Sequence, residues 1–419
     1  MIFLLICLFI ITLTISLLIF KKIITPLTIF VVNYIICLIL FYGSNFVYHT
    51  ISNKAYLILI LSLMGFLMGV LFTKILPKET KIIEKRQDYL SVLSKFAFLA
   101  FFLSLLGATI YYIIIQRKLG LLNVFADPSI LNTAISESNI GIGTIPVSLM
   151  KLSIPNSGLL FSLYLRDRKK NKIFLFLFLI ELLMNISVKR NAFIYMVVLN
   201  VFIYFYTTVD STKIIKFRNS FKNFILFLLV VSGSIYFFQV LQRLLNKELA
   251  IAGSKLFGLT LSSSMLTLIM YYVGNPISFS IYIENLSNNA KIPVLGATFR
   301  YIYIVLEKAT SIKFDDSFLA LDFVQTPQLF NTTFSQYYIY CEGGLIWVII
   351  FYFLLGIIST LILFKYEKNN NILNTNILAF TSLFLLLMIR EYMPILLDFW
   401  ICIIYYFVLN KLTRKRKEK

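Results

Sequence analysis

Charged side chains make up only 14% of the 419 residues and hydrophobic ones 59%, so the charges that interrupt apolar runs are where chemistry should be sought. An ionisable group costs roughly 2.5–3.5 kcal/mol or more at the centre of a bilayer, and one retained there has a structural or functional task. Lys151 lies in the apolar run 145–165, and Glu181 near the middle of 173–188. Lys189 and Arg190 form the turn into the run 192–209. Arg390 and Glu391 open the run 392–409, and Asp398 follows further along it. A guanidinium stays charged when dehydrated and forks onto phosphate oxygens, so such arginines suit a pyrophosphate at a membrane surface. Two further arginines, Arg243 and Arg300, fall in the long stretch 242–339. The competing reading is an ion pair that fixes helix packing, such as Lys151 with Glu181, or Arg390 with Glu391 or Asp398.

Other chemistries find few residues. There is no Gly-rich phosphate loop. Asp315–Asp316 is the one adjacent acidic pair, and in KFDDSF it reads as a solvated loop feature. His49 is the single histidine, in a short connection, which leaves Ser–His–Asp chemistry without its base. Cys7, Cys37, Cys341 and Cys402 sit in or beside apolar runs with no CxxC spacing, so they read as small buried side chains. No metal and no cofactor is expected.

The elements that must carry these residues are apolar runs of bilayer length. Mean hydropathy is +0.86, and runs of about 18 or more apolar residues mark spans. They fall at 2–20, 23–42, 55–73, 96–115, 145–165, 173–188, 192–209, 223–241, 340–364, 372–389 and 392–409, an all-α polytopic membrane protein of about eleven transmembrane helices. The opening stretch has no basic n-region and no small-residue cleavage site, so it reads as a retained span. Alternate connections hold Lys21 and Lys22, 76–88, 166–172, 212–222, 365–371 and 411–419, and these carry well over half of the 39 Lys and Arg residues. That asymmetry places them in the cytoplasm, with the N-terminus outside and the C-terminus cytoplasmic. The net charge of +20 then records insertion, and no nucleic acid is expected. Residues 256–273 would break the alternation if they crossed, so they read as a helix lying on the outer surface. Residues 1–419 thus read as one membrane-embedded domain with external loops at 116–144 and 242–339. All the buried charges except Glu181 then lie in the outer half.

Three stretches resemble the Wzy-type oligosaccharide repeat-unit polymerases of bacterial O-antigen and capsule assembly. SVKRNAFIYMVVLNVFIYFY at 187–206 is similar to the family's small/polar–Arg–small turn that opens an apolar helix. FNTTFSQYYIYCEGGLIWVIIFYFLLGIIS at 330–359 resembles its Asn–x–x–Thr segment, Tyr-rich run, acidic residue and Gly-containing helix. The plan of many spans with a large loop before the last few is the third likeness. Related O-antigen ligases often have a His where this chain has Phe330.

The resemblance implies a GT-C-like integral membrane glycosyltransferase in the bacterial cytoplasmic membrane with its active site outward. Its donor and acceptor would be polyprenyl-pyrophosphate-linked oligosaccharides, joined without metal and with inversion. Partners would include membrane lipid and a chain-length regulator and flippase of the same pathway. Arg190, with Lys189 beside it, then Arg300, and after these Arg243 and Arg390, would hold the pyrophosphate. Glu342, beside Gly343–Gly344, or Glu284 would be the base for the acceptor hydroxyl. Lys151, Asp398 and Glu391 would provide intramembrane polar support. Tyr271, Tyr272, Tyr301, Tyr303, Tyr337, Tyr338 and Tyr340 would stack on sugars or anchor the chain at the interface. The alternatives are a lipid-linked oligosaccharide flippase or other polysaccharide transporter, and an O-antigen ligase. Missing internal repeats and the long loop 242–339 weigh against transport.

Overall fold

The computed structural model describes residues 2–22, 24–45, 50–76, 89–126, 130, 144–186, 190–208, 254–286, 295–310, 319, 321–326 and 329–414. Most of them are helical. The helices are α1 (Ile2–Phe20), α2 (Pro26–Gly43), α3 (Asn53–Ile75), α4 (Tyr89–Lys118), α5 (Leu121–Ala126), α6 (Thr144–Lys151), α7 (Ser153–Arg166), α8 (Lys172–Ile186) and α9 (Arg190–Thr208). After them come α10 (Ser263–Asn285), α11 (Arg300–Thr310), α12 (Ser335–Lys368), α13 (Ile372–Leu387) and α14 (Leu397–Thr413). Two short hairpins pair β1 (Lys255–Leu256) with β2 (Leu259–Thr260), and β3 (Val324–Gln325) with β4 (Leu329–Phe330). Among the described residues six helices are long and apolar enough to cross a membrane: α1, α2, α3, α4, the Asn191–Thr208 part of α9, and α12. α13 is apolar but shorter.

The expected span 223–241 lies outside the described residues. Two other expected spans are built in pieces. The run 145–165 divides into α6 and α7 at Leu152, and Pro155 in the first turn of α7 is where a missing N–H is tolerated. The run 392–409 begins with a 3₁₀ turn, Met393–Ile395, before α14. The helix expected over 256–273 runs instead over 263–285. Phe257 and Gly258, both at positive φ, close the β1–β2 hairpin, and the Ser262 hydroxyl then caps α10 by accepting from Met265 N.

The chain divides into two compact units. The first comprises Met1–Pro77, Thr212–Leu363 and Phe384–Ile395. Its central packing is a close approach of α3 and α12. A Cβ on Gly69 would stand 2.1 Å from Phe353 O, on Gly65 2.8 Å from Ile349 O, and on Gly356 2.4 Å from Phe66 O. Only glycine lets the two backbones touch, the small–xxx–small solution to packing helices in an apolar medium. Pro276 sits inside α10 and removes the N–H that would bond to Tyr272 O. Cys37 Sγ, at 3.0 Å, donates to that carbonyl instead.

The second unit comprises Lys78–Ser211, Phe364–Leu383 and Leu396–Lys419. Lys151 forms its ion pair with Asp398, not with Glu181 as the spacing had allowed. Glu181 Oε1 is met by neutral donors, Asn156 Nδ2 at 2.8 Å and Ser104 Oγ at 3.2 Å. Asn156 in turn accepts from the Tyr405 hydroxyl at 2.8 Å. Four helices are tied by one buried polar chain.

Replacing Gly69 by Leu should prevent α3 and α12 from closing and cost several kcal/mol, whereas Leu57→Ala on the exposed face of α3 should change little. Thermal aggregation of the detergent-solubilised protein would show the difference. Equal melting temperatures for the two variants would contradict this packing.

Candidate active site

In the first unit, α12 carries its own interruption. Gly344 has φ 68 and ψ −159, a region essentially closed to residues with a Cβ, and the helix breaks there and restarts. Glu342 stands immediately before the break and is buried. A buried carboxylate must be met by donors, and here three converge. Thr298 N–H donates to Oε1, Thr298 Oγ1 donates to Oε2 at 2.9 Å, and Trp347 Nε1 donates to Oε2 at 3.2 Å. The backbone of Ala297 adds a further hydrogen bond to the same carboxylate.

Thr298 is held by a turn. Leu295 takes a positive φ of 58, Phe299 N bonds back to Leu295 O at 2.9 Å, and Phe299 O accepts from Tyr303 N at 3.1 Å at the start of α11. The Glu342 carboxylate therefore lies at the N-terminal end of α11, where the helix dipole favours negative charge. Tyr392 completes a relay, its hydroxyl 2.6 Å from Thr298 Oγ1. Thr298 spends its single proton on Glu342, so Tyr392 is the donor in that pair. The Tyr392 ring stacks on Tyr338 at 5.9 Å and 14° and meets Phe351 edge-on.

Cations lie around this aromatic set. Arg300, two residues beyond Thr298, and Glu391 both act electrostatically on the Tyr338 phenol. Arg390 acts on Tyr272. Lys54 Nζ lies 4.9 Å from the centre of the Tyr340 ring, a cation–π contact. The unit thus gathers Glu342, Arg300, Arg390 and Glu391 from the expected residues and adds Lys54, Thr298, Trp347 and Tyr392. Thr298 and Tyr392 adjoin expected residues in sequence, and Trp347 follows Glu342 by five. Nothing in their spacing predicts that they meet.

The remaining expected residues fall elsewhere. Glu284 is exposed in the last turn of α10, so Glu342 is the one of the two candidate bases with an enclosing set of donors. Arg190 opens α9 in the second unit, and its side chain lies outside the described part. Lys189, Arg243, His49, Asp315 and Asp316 lie outside the described residues. Lys151 and Asp398 form an ion pair in the second unit.

No family model, curated protein or solved structure matches the chain significantly.

Glu342→Gln keeps acceptor capacity but turns one oxygen into an NH₂ that faces donors, so it should destabilise the turn at 295–299 by about 1–3 kcal/mol. Thr298→Val removes one donated hydrogen bond and should cost about 1 kcal/mol. A double-mutant cycle between Thr298→Val and Tyr392→Phe, read by thermal unfolding in detergent, should show coupling. Strict additivity would mean that the two hydroxyls do not form the relay.

Proposed function

We propose that the chain is an oligosaccharide repeat-unit polymerase of the bacterial cytoplasmic membrane, joining polyprenyl-pyrophosphate-linked units on the outer leaflet into O-antigen or capsular polysaccharide. The observation that carries the reading is Glu342, a carboxylate positioned by Thr298 and Trp347, with Arg300 opening the helix that follows the Thr298 turn. It supplies the two things that metal-independent glycosyl transfer from an activated lipid needs. One is a base for a hydroxyl, and the other is fixed positive charge for a departing pyrophosphate.

In this mechanism Glu342 takes the proton of the acceptor sugar hydroxyl as its oxygen attacks the anomeric carbon of the donor. The bond from that carbon to the pyrophosphate oxygen breaks, its electron pair stays with the pyrophosphate, and the anomeric configuration inverts. Arg300 and Arg390 stabilise the charge that grows on the leaving group. Arg190, Lys189 and Arg243 join them by the resemblance to the polymerase family. About eleven spans, an outside N-terminus and a cytoplasmic C-terminus are part of the same proposal, because an outer-leaflet substrate requires the 242–339 loop outside.

A second reading, transport of lipid-linked glycan, draws on the interruptions of α12 at Gly344 and of the α6–α7 pair at Leu152, since discontinuous helices line many transporter sites. Deleting the gene separates the two. A polymerase defect leaves surface glycan with a single repeat unit and no ladder on a gel, whereas a flippase defect removes the single unit as well.

Glu342→Gln should lower polymer formation by about 10²–10⁴-fold, and Arg190→Ala and Arg190→Lys should each abolish the ladder while the protein still inserts. A normal ladder in all three variants would sink the assignment. A reporter fused after Arg414 should be active in the cytoplasmic form only. Activity of an exported reporter at that position would reverse the topology.

A further inference from the structure

α11 has its two sides arranged the wrong way round for a helix in water. Ile302, Leu306 and Ala309, spaced i, i+4 and i+7, share one stripe, and all are exposed, Ile302 by 54% and Leu306 by 42%. Arg300, Ile304 and Glu307 form the opposite stripe with the same spacing and are half-buried. Arg300 and Glu307 thus lie on the sheltered side of the helix, and large aliphatic side chains lie on its open side. A surface helix in water shows the reverse.

What covers the open side follows from where the helix starts. Thr298, in the turn that leads into α11, donates to Glu342 through its N–H and its hydroxyl, so α11 begins at the level of Glu342. That level is an edge of the apolar layer. After Glu342, α12 carries no charge from Leu345 to Phe364, and Lys365 follows. At about 1.5 Å per residue this stretch rises about 30 Å, the thickness of the hydrocarbon core. α3 marks the same edge independently. Its charge-free stretch 55–73 is preceded by Lys54, whose Nζ lies 4.9 Å from the ring centre of Tyr340, two residues before Glu342. Directly after the break at Gly344, Ile346 is 73% exposed, and the exposed Ile350, Leu354 and Ile358 continue its stripe along α12.

We infer that α11 lies in the interface of the bilayer with Ile302 and Leu306 among the acyl chains, and that this contact with the leaflet holds the 295–299 turn on Glu342. The partner is the phospholipid surface itself, met by an apolar helix face at headgroup depth. With 11 residues the helix is about 16 Å long, too short to cross. α11 also packs on the 3₁₀ turn Met393–Ile395, which follows Tyr392. Lipid therefore borders the helix on one side and the Tyr392–Thr298 relay adjoins its start.

The test uses the full chain in phosphatidylcholine nanodiscs, with Cys7 replaced by Ala and the buried Cys37, Cys341 and Cys402 kept. A nitroxide is attached to Ile302→Cys or Leu306→Cys, with Ile346→Cys as the lipid-facing reference. Its relaxation by oxygen and by a water-soluble nickel chelate is then measured. Both α11 positions should be reached by oxygen as readily as the reference and shielded from nickel. Free access of nickel would place the face in water, and shielding from both agents would place protein on it. Either result would overturn the inference. Hydrogen exchange tests the coupling to the turn. Ile302→Asp should speed amide exchange across 295–303 about tenfold, the size expected when one large aliphatic side chain leaves the apolar phase, while 345–356 stays unchanged. If Ile302→Asp does not insert, Leu306→Asn gives the same reading. Unchanged exchange across 295–303 in an inserted variant would remove the link between leaflet and Glu342. No glycan is present in either measurement, so both results stand whatever reaction Glu342 serves.

Discussion

In apolar surroundings a backbone N–H or C=O that leaves its helix finds no water, and every interruption has to be met from inside the protein. The structure meets this constraint at Pro276 and at the end of α13 with groups from other elements. Pro276 frees the carbonyl of Tyr272, and Cys37 occupies it. At the end of α13 the carbonyls of Leu386 and Met388 receive the Asn33 amide and the Ser335 N–H. Those are orphan groups of the kind any helix terminus leaves. The donors come from α2 and from the first residue of α12, so closing the helix end also assembles the first unit. Tyr34 and Gln336, hydrogen-bonded to each other in that interior, extend the same join.

The glycine contacts between α3 and α12 follow from the same scarcity of polar partners. With water absent, apolar side chains gain nothing by meeting one another in preference to lipid, and close van der Waals approach does the work. Gly65, Gly69 and Gly356 bring the two backbones together along the half of α12 that follows its break at Gly344. Glu342 therefore precedes a rigidly packed helix. Its orientation is set by the restart of that helix on one side and by the 295–299 turn on the other.

Much of the helical plan was legible because a bilayer span needs little more than an uninterrupted apolar run. Runs such as 2–20 and 55–73 have nearly the bounds of α1 and α3. Interruptions were harder to read. Pro155 and the pair Gly343–Gly344 do mark breaks, but Pro276 does not, because Cys37, distant in sequence, rescues the freed carbonyl. The serine run 262–264 supplies an N-cap through its first hydroxyl, and a helix of 23 residues follows it. Site residues were legible as types but not as partners. Glu342 and Arg300 stood out by charge, whereas Thr298 and Tyr392 are ordinary residues whose role comes from contacts across 44 and 94 positions of sequence.

The two buried glutamates show how environment separates roles that sequence cannot. Glu181 and Glu342 are both enclosed, and both interrupt apolar stretches. The Glu181 carboxyl is held by an amide and a hydroxyl within a packed core of helices, and its nearest amide partner is itself committed to Tyr405. Every contact there joins helix to helix, which is the work of a structural strut. Glu342 is held at a helix break and a loop turn, by a backbone N–H, a hydroxyl and an indole, and Arg300 opens the helix that follows the turn. On the proposed function a base must be fixed in position and within hydrogen-bond reach of the proton it takes, and Glu342 is fixed where a helix breaks. The distinction rests on which elements supply the donors and not on the carboxylates themselves.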